Sequence, residues 1–137
     1  MELFVTENPP ITLSDIQEFE TAIGLSLPED YKSHLLKYNG ATTESIYMYF
    51  GEPDDGINFF YFLPLKYGDS LHVEIVDYLP EKHLFIGCTQ TGNLAMSLND
   101  EDYGNIYVYY SEGELTWLAP SFTAFVSGLI DYTDEME

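Results

Sequence analysis

Arginine is missing from this 137-residue chain and lysine occurs only four times, so its 24 Asp and Glu residues leave a formal net charge of −20. Nucleic acid and anionic membrane surfaces are thereby excluded as partners, because their phosphates demand Lys and Arg. Cys88 is the single cysteine, which excludes an internal disulfide. The longest apolar stretches, such as Phe59 to Leu65, are strand-sized and broken by Pro64, so no membrane-spanning helix is expected. Met1 to Pro10 has neither a basic stretch nor an apolar stretch of signal-peptide length, and the cytoplasm is the expected location. His34, His72 and His83 stand apart, with neither H-x-x-x-H nor C-x-x-C spacing, which leaves a zinc site without local support.

What the chain does have is apolar and aromatic material, 45% hydrophobic and 16% aromatic, with twelve Tyr and nine Phe spread along its length. A disordered acidic tail would be poor in aromatics, so residues 1–137 read as one domain whose acids decorate a packed core. A small domain stays soluble at a net charge of magnitude about 2 to 8, and charge beyond that adds self-repulsion. Surplus acid on a folded domain points to a use, and the partner it favours is a basic protein.

Ser14 to Ile23 carries Ile16, Phe19, Ala22 and Ile23 at helical spacing behind Thr12 and Ser14, with Ser14 and Gln17 as a capping box and Gly24 as the stop. Pro28, Glu29 and Asp30 open a second helix with a stripe of Tyr31, Leu35 and Tyr38, ended by Asn39 and Gly40. Aromatic and β-branched runs follow at Ile46 to Phe50 and Ile57 to Leu63, then Leu84 to Cys88, Asn93 to Leu98, Asn105 to Tyr110 and Glu114 to Leu118. Short links imply an antiparallel meander. Between Ser70 and Tyr78 the spacing of Leu71, Ile75, Tyr78 and Leu79 behind Asp69 and Ser70 fits a short middle helix, against the β-branched Val73, Ile75 and Val76. Ser121 caps a closing helix with the apolar face Phe122, Phe125, Val126, Leu129 and Ile130. The predicted class is α+β: a mostly antiparallel sheet of about five to six strands, with two N-terminal helices, a short middle helix and a C-terminal helix packed on it. Tyr47, Tyr49, Tyr61, Tyr107 and Tyr109 alternate with more apolar neighbours and are expected along an open sheet face, where they serve either a partner or cross-strand packing.

Chemistry is sparse. Cys88 ends an apolar strand and reads as an inert thiol. The acidic loop Asn99 to Gly104 fails the calcium pattern, since Tyr103 falls on a ligand position and no Glu follows at the required distance. Asp54 with Asp55 reads as solvated charge rather than a glycosidase pair. No glycine-rich phosphate loop occurs. No catalytic, cofactor-binding or metal-binding residue is assigned, and the expected function is not enzymatic.

Leu27-Pro28-Glu29-Asp30-Tyr31-Lys32 through Leu36, Tyr38, Asn39 and Gly40 resembles the SUKH superfamily, the group related to fungal cell-wall-synthesis regulators of the Smi and Knr type. The resemblance continues at Pro80, Ile86-Gly87, Gly92-Asn93, the Asp102 to Gly104 turn with the strand Ile106 to Tyr110, and Ser121-Phe122 with Phe125. It implies an α+β domain and, in bacteria, similarity to immunity proteins that bind and neutralise a toxin of the same cell, often a nuclease. Phe50 to Tyr67 and the acidic C-terminal residues match no pattern of the family.

Together these readings predict an immunity protein that holds a basic toxin, a nuclease, by stoichiometric electrostatic and aromatic contact. The expected partner-binding residues are Glu52, Asp54, Asp55, Asp100, Glu101, Asp102, Glu112 and Glu114, with Tyr47, Tyr49 and Tyr109 as anchors. The alternative is a regulatory or scaffold module for another cellular protein. Oligomeric state and the identity of the toxin stay open.

Overall fold

A computed structural model describes residues 4–6, 8–50, 56–67, 72–76, 79–90, 92–110 and 113–131. The first helix, α1 (Leu13–Ile23), starts one residue before the stretch the sequence suggests. Thr12 is its N-cap and Asp15 closes the capping box, in place of Ser14 and Gln17. Gly24 ends it at φ 73°, its N–H donating to the Glu20 carbonyl. Glu20 also accepts from the Leu27 N–H at 2.7 Å, which turns the chain toward α2 (Glu29–Lys37). Pro28 sits just outside that helix as N-cap, and Tyr31 and Leu35 are its buried stripe.

Eight strands follow among the described residues: β1 (Ala41–Phe50), β2 (Gly56–Phe62), β3 (Glu74–Ile75), β4 (His83–Thr89), β5 (Gly92–Ser97), β6 (Ile106–Tyr110), β7 (Leu115–Ala119) and β8 (Leu129–Asp131). All pairings are antiparallel, in the order β7-β6-β5-β4-β2-β1-β8, with β3 also on β4. The third helix, α3 (Phe122–Ser127), lies between β7 and β8, capped by Ser121, whose Oγ accepts from the Ala124 N–H. The class is α+β.

Two expectations are corrected. The middle helix does not form at Glu74–Ile75, which instead pair with Phe85 and Leu84 of β4; β-branched Val73, Ile75 and Val76 outweigh the helical spacing. The proposed start of that helix, Asp69 to Leu71, and its Tyr78 lie outside the described residues. Leu129 and Ile130 do not extend the closing helix but turn into β8 against Tyr49 and Met48, which with β3 raises the strand number above five to six.

The core is aromatic. Phe62 of β2 touches Phe4, His34, Phe59, Phe122 and Phe125, with ring centroids 4.7 to 6.1 Å apart, so α2 and α3 share one face of the sheet. Burying a side chain of this kind contributes about 1.5–3 kcal/mol. Asp30 locks the two helices together, accepting from both the N–H and the hydroxyl of Thr123 in the first turn of α3. Asn39, buried behind α2, donates to the Pro9 and Lys66 carbonyls and accepts from the Leu65 N–H, tying the N-terminal arm to the chain leaving β2. This satisfied buried amide replaces the helix-ending role expected of it, and Gly40 alone takes the left-handed conformation, at φ 83°.

Candidate protein-binding surface

Residues directly opposite each other in an antiparallel ladder share a face. Tyr61, Cys88, Asn93, Tyr109 and Leu115 are opposite one another in turn across β2, β4, β5, β6 and β7, forming a row on the face away from Phe62. Tyr107 and Trp117 oppose each other on the same face, one step along. Thr42 continues the row beyond Tyr61 and is bridged to Val5. Phe60, the extra residue where β2 slips against β4, is 45% exposed, Trp117 43% and Val5 38%. At the Val5 end the surface dips into a cleft of about 310 Å³ lined by Thr6, Asn8, Thr42, Tyr61 and Pro64. None of the residues in this row carries a charge. The Cys88 thiol beside Tyr61, and partial burial, push that hydroxyl above its ordinary pKa.

Acidic turns border the row at both ends of β6. Between β5 and β6, Asp100–Asp102 form one 3₁₀ turn in which Asp100 and Glu101 are exposed. Asp102 is held differently: its carboxylate accepts from Ser97 Oγ at 2.5 Å and Tyr107 Oη at 2.6 Å. Burial works to raise its pKa, but the Ser97 and Tyr107 hydrogen bonds and the nearby His83 win, and the group lies below the usual carboxylate range. Tyr103 then reaches across to the Ser26 carbonyl at 2.6 Å. The acidic turn is therefore fixed to β5, β6 and the α1–α2 connection. Beyond β6, Glu114 is exposed, accepting the Thr116 hydroxyl. Among the described residues Asp100, Glu101 and Glu114 have no ion pair, whereas on the helical side Lys32 meets Glu29 at 2.8 Å and Lys66 meets Asp15 at 2.8 Å. Lys82 lines the same surface depression as Asp100, Glu101 and Asp102, so one lysine faces three acids there and the border of the row stays negative.

The residues expected to bind a partner divide by this geometry. Asp100, Glu101, Asp102, Tyr109 and Glu114 come together around the row, Asp102 as the buttress rather than as a free charge. Glu52, Asp54, Asp55 and Glu112 lie outside the described residues. The common open face expected for five tyrosines is corrected: Tyr61, Tyr107 and Tyr109 share it, while Tyr47 and Tyr49 face the helices, opposite Phe59 and Ile57. The register slip in β2, between Phe59 and Tyr61, puts these two odd residues on opposite faces, whereas the odd residues Ala41, Tyr47 and Tyr49 of β1 all face the core. Phe60, Trp117 and Leu115 escaped the sequence reading. Strict alternation around Trp117 was its only local signal.

Two of the histidines are inside. His34 is enclosed by Phe4, Tyr31, Tyr38, Phe62 and Phe122, and burial drives its pKa down to about 4. His83 is buried with Nδ1 at 2.9 Å from the Glu81 carbonyl and its ring edge-on to Tyr107. Among the described residues no three His, Cys, Asp or Glu side chains group to hold a metal ion. No helix among them is long and apolar enough to cross a membrane.

The SMI1 / KNR4 family (SUKH-1) matches residues 10–128, a span that takes in all three helices and the strands from β1 to β7. The chain belongs to this family. Membership in SUKH-1 places Pro28, Asp30 and Tyr31 in context: they start α2, bridge it to α3 and fill the core beneath both. No curated protein matches the chain.

Proposed function

We propose that this SUKH-1 protein is an immunity protein that neutralises a cognate toxin, a basic nuclease, by binding it without covalent chemistry. The observation that carries the reading is an uncharged aromatic row set between acidic turns on a chain of net charge −20. Apolar centres with polar rims are the anatomy of protein interfaces, and Tyr and Trp are their energetic anchors. A nuclease needs Lys and Arg to hold phosphates, and those cations are what Asp100, Glu101 and Glu114 attract. Electrostatic attraction of this kind raises association toward roughly 10⁸–10⁹ M⁻¹s⁻¹ at low salt, which suits protection of a cell from its own toxin.

Co-expression with toxin domains encoded in the same genome, followed by pull-down and growth rescue, tests the reading. One basic toxin domain should be retained and its toxicity suppressed. Retention of none, together with capture of an unrelated regulatory protein, would favour a scaffold module instead.

A further inference from the structure

β7 ends the sheet path, and among the described residues β6 is its only strand neighbour. Tyr110 donates its N–H to the Glu114 carbonyl at 2.9 Å, which sets the alternation of the ladder. Val108 and Thr116 then exchange hydrogen bonds, and Leu115 and Trp117 turn their N–H and C=O groups outward. The other short strands blunt their edges by length, β3 with two residues and β8 with three. Leu115–Ala119 has no charge and no proline. Its far end is closed, because a register slip takes Leu118 out of the ladder and the Tyr49 hydroxyl occupies its carbonyl. Among the described residues the stretch left open is Leu115 to Trp117.

We propose that this edge receives an extended segment of a cationic partner as an added strand, a recognition mode that rests on the toxin-binding reading and refines it. Strand addition gains affinity from main-chain hydrogen bonds and specificity from alternate side chains. Here those side chains would lie beside Tyr109, Leu115 and the exposed Trp117 ring, a good face for Lys or Arg. Charge selects the occupant. Glu114 leads into the edge, and a second copy would set −20 against −20.

The probe is a blocked peptide alternating Lys and Val, with a Glu and Val peptide as control. Trp117 is the sole tryptophan, so its emission reports on this edge directly. The Lys and Val peptide should shift that emission and slow amide exchange at Leu115 and Trp117 by about tenfold or more, and the acidic peptide should do neither. Methylating every second backbone nitrogen of the peptide, at unchanged charge, should abolish both effects. Leu115→Pro should abolish them too, with far-UV circular dichroism confirming the fold. The proposal is overturned by equal binding of the methylated peptide, by no binding, by protection elsewhere, or by concentration-dependent protection of these amides without peptide. A toxin domain captured while Leu115 and Trp117 stay in fast exchange would overturn the edge and leave the immunity reading standing; strand addition without capture or rescue by any toxin would do the reverse.

Discussion

The Tyr49 hydroxyl donates to the Leu118 carbonyl at 2.7 Å, although β1 and β7 stand far apart in the order of the sheet. The bond requires the sheet to curl around α3, and the Tyr49 ring stacks on Phe125 of that helix at 4.7 Å. Curling places the helices inside the bend and the row of Tyr61, Tyr109 and Leu115 on its outer side.

Tyr49→Phe should cost about 1 kcal/mol, the net worth of one hydrogen bond. Gly128→Ala should cost more, about 1–3 kcal/mol, since an added Cβ would lie 2.6 Å from Tyr49 Cε1. Both act on one ring, so the double variant should fall short of the sum. Urea unfolding of the three variants measures this; full additivity would show that Tyr49 does not couple the ends of the sheet.

His34 makes stability pH-dependent. Its pKa is about 4 in the fold, below the ordinary 6.5, so the unfolded chain takes up the proton first as pH falls. The contribution is fully present above about pH 6.5, declines toward pH 4 and is constant below, with an upper bound of roughly 3 kcal/mol. His34→Leu should remove this decline, so the stability difference between variant and parent should change with pH only in that window. A difference that stays flat would contradict the burial of His34.

Asp102→Ala should free the acidic turn. It removes the acceptor of Ser97 and Tyr107 and should cost about 2 kcal/mol. Because its folded pKa is depressed, the stabilisation exists above the ordinary carboxylate value and is lost as pH falls through the lower folded value. Amide exchange across residues 99–104 should quicken while β1 and β2 are unaffected; unchanged exchange in the turn would deny Asp102 its buttressing role.

Local signals carried much of the fold and little of the site. Pro28, Glu29 and Asp30 announced α2, and Ser121 announced α3, because caps and first turns are chemistry within a few residues. Thr12 and Ser14 both stand ahead of α1 in the sequence, and the box falls on Thr12 with Asp15 although Ser14 with Gln17 matches the pattern too. Ile130 looked helical because Phe122, Phe125 and Leu129 share its spacing, and only pairing with Met48 makes it a strand residue. The aromatic row joins strands from Tyr61 to Leu115, and its face depends on register slips that no short window reveals. Asp102 read as one acid among several until its distances to Ser97 and Tyr107 separated it from Asp100 and Glu101.

Charge reversal tests the electrostatic part of the function. Asp100→Lys, Glu101→Lys and Glu114→Lys combined should slow association with the captured basic domain by roughly tenfold or more at low salt and flatten its salt dependence. Stopped-flow fluorescence of Trp117 follows the rate. An unchanged rate would count against electrostatic capture.

The most direct measurement is the amide-exchange footprint of the captured basic toxin domain on this protein. The account predicts slowed exchange along Tyr61, Cys88, Asn93, Tyr109 and Leu115 and in the Asp100–Asp102 turn. Protection confined to the outer surfaces of α1 and α2, with that row exchanging as in the free protein, would contradict it.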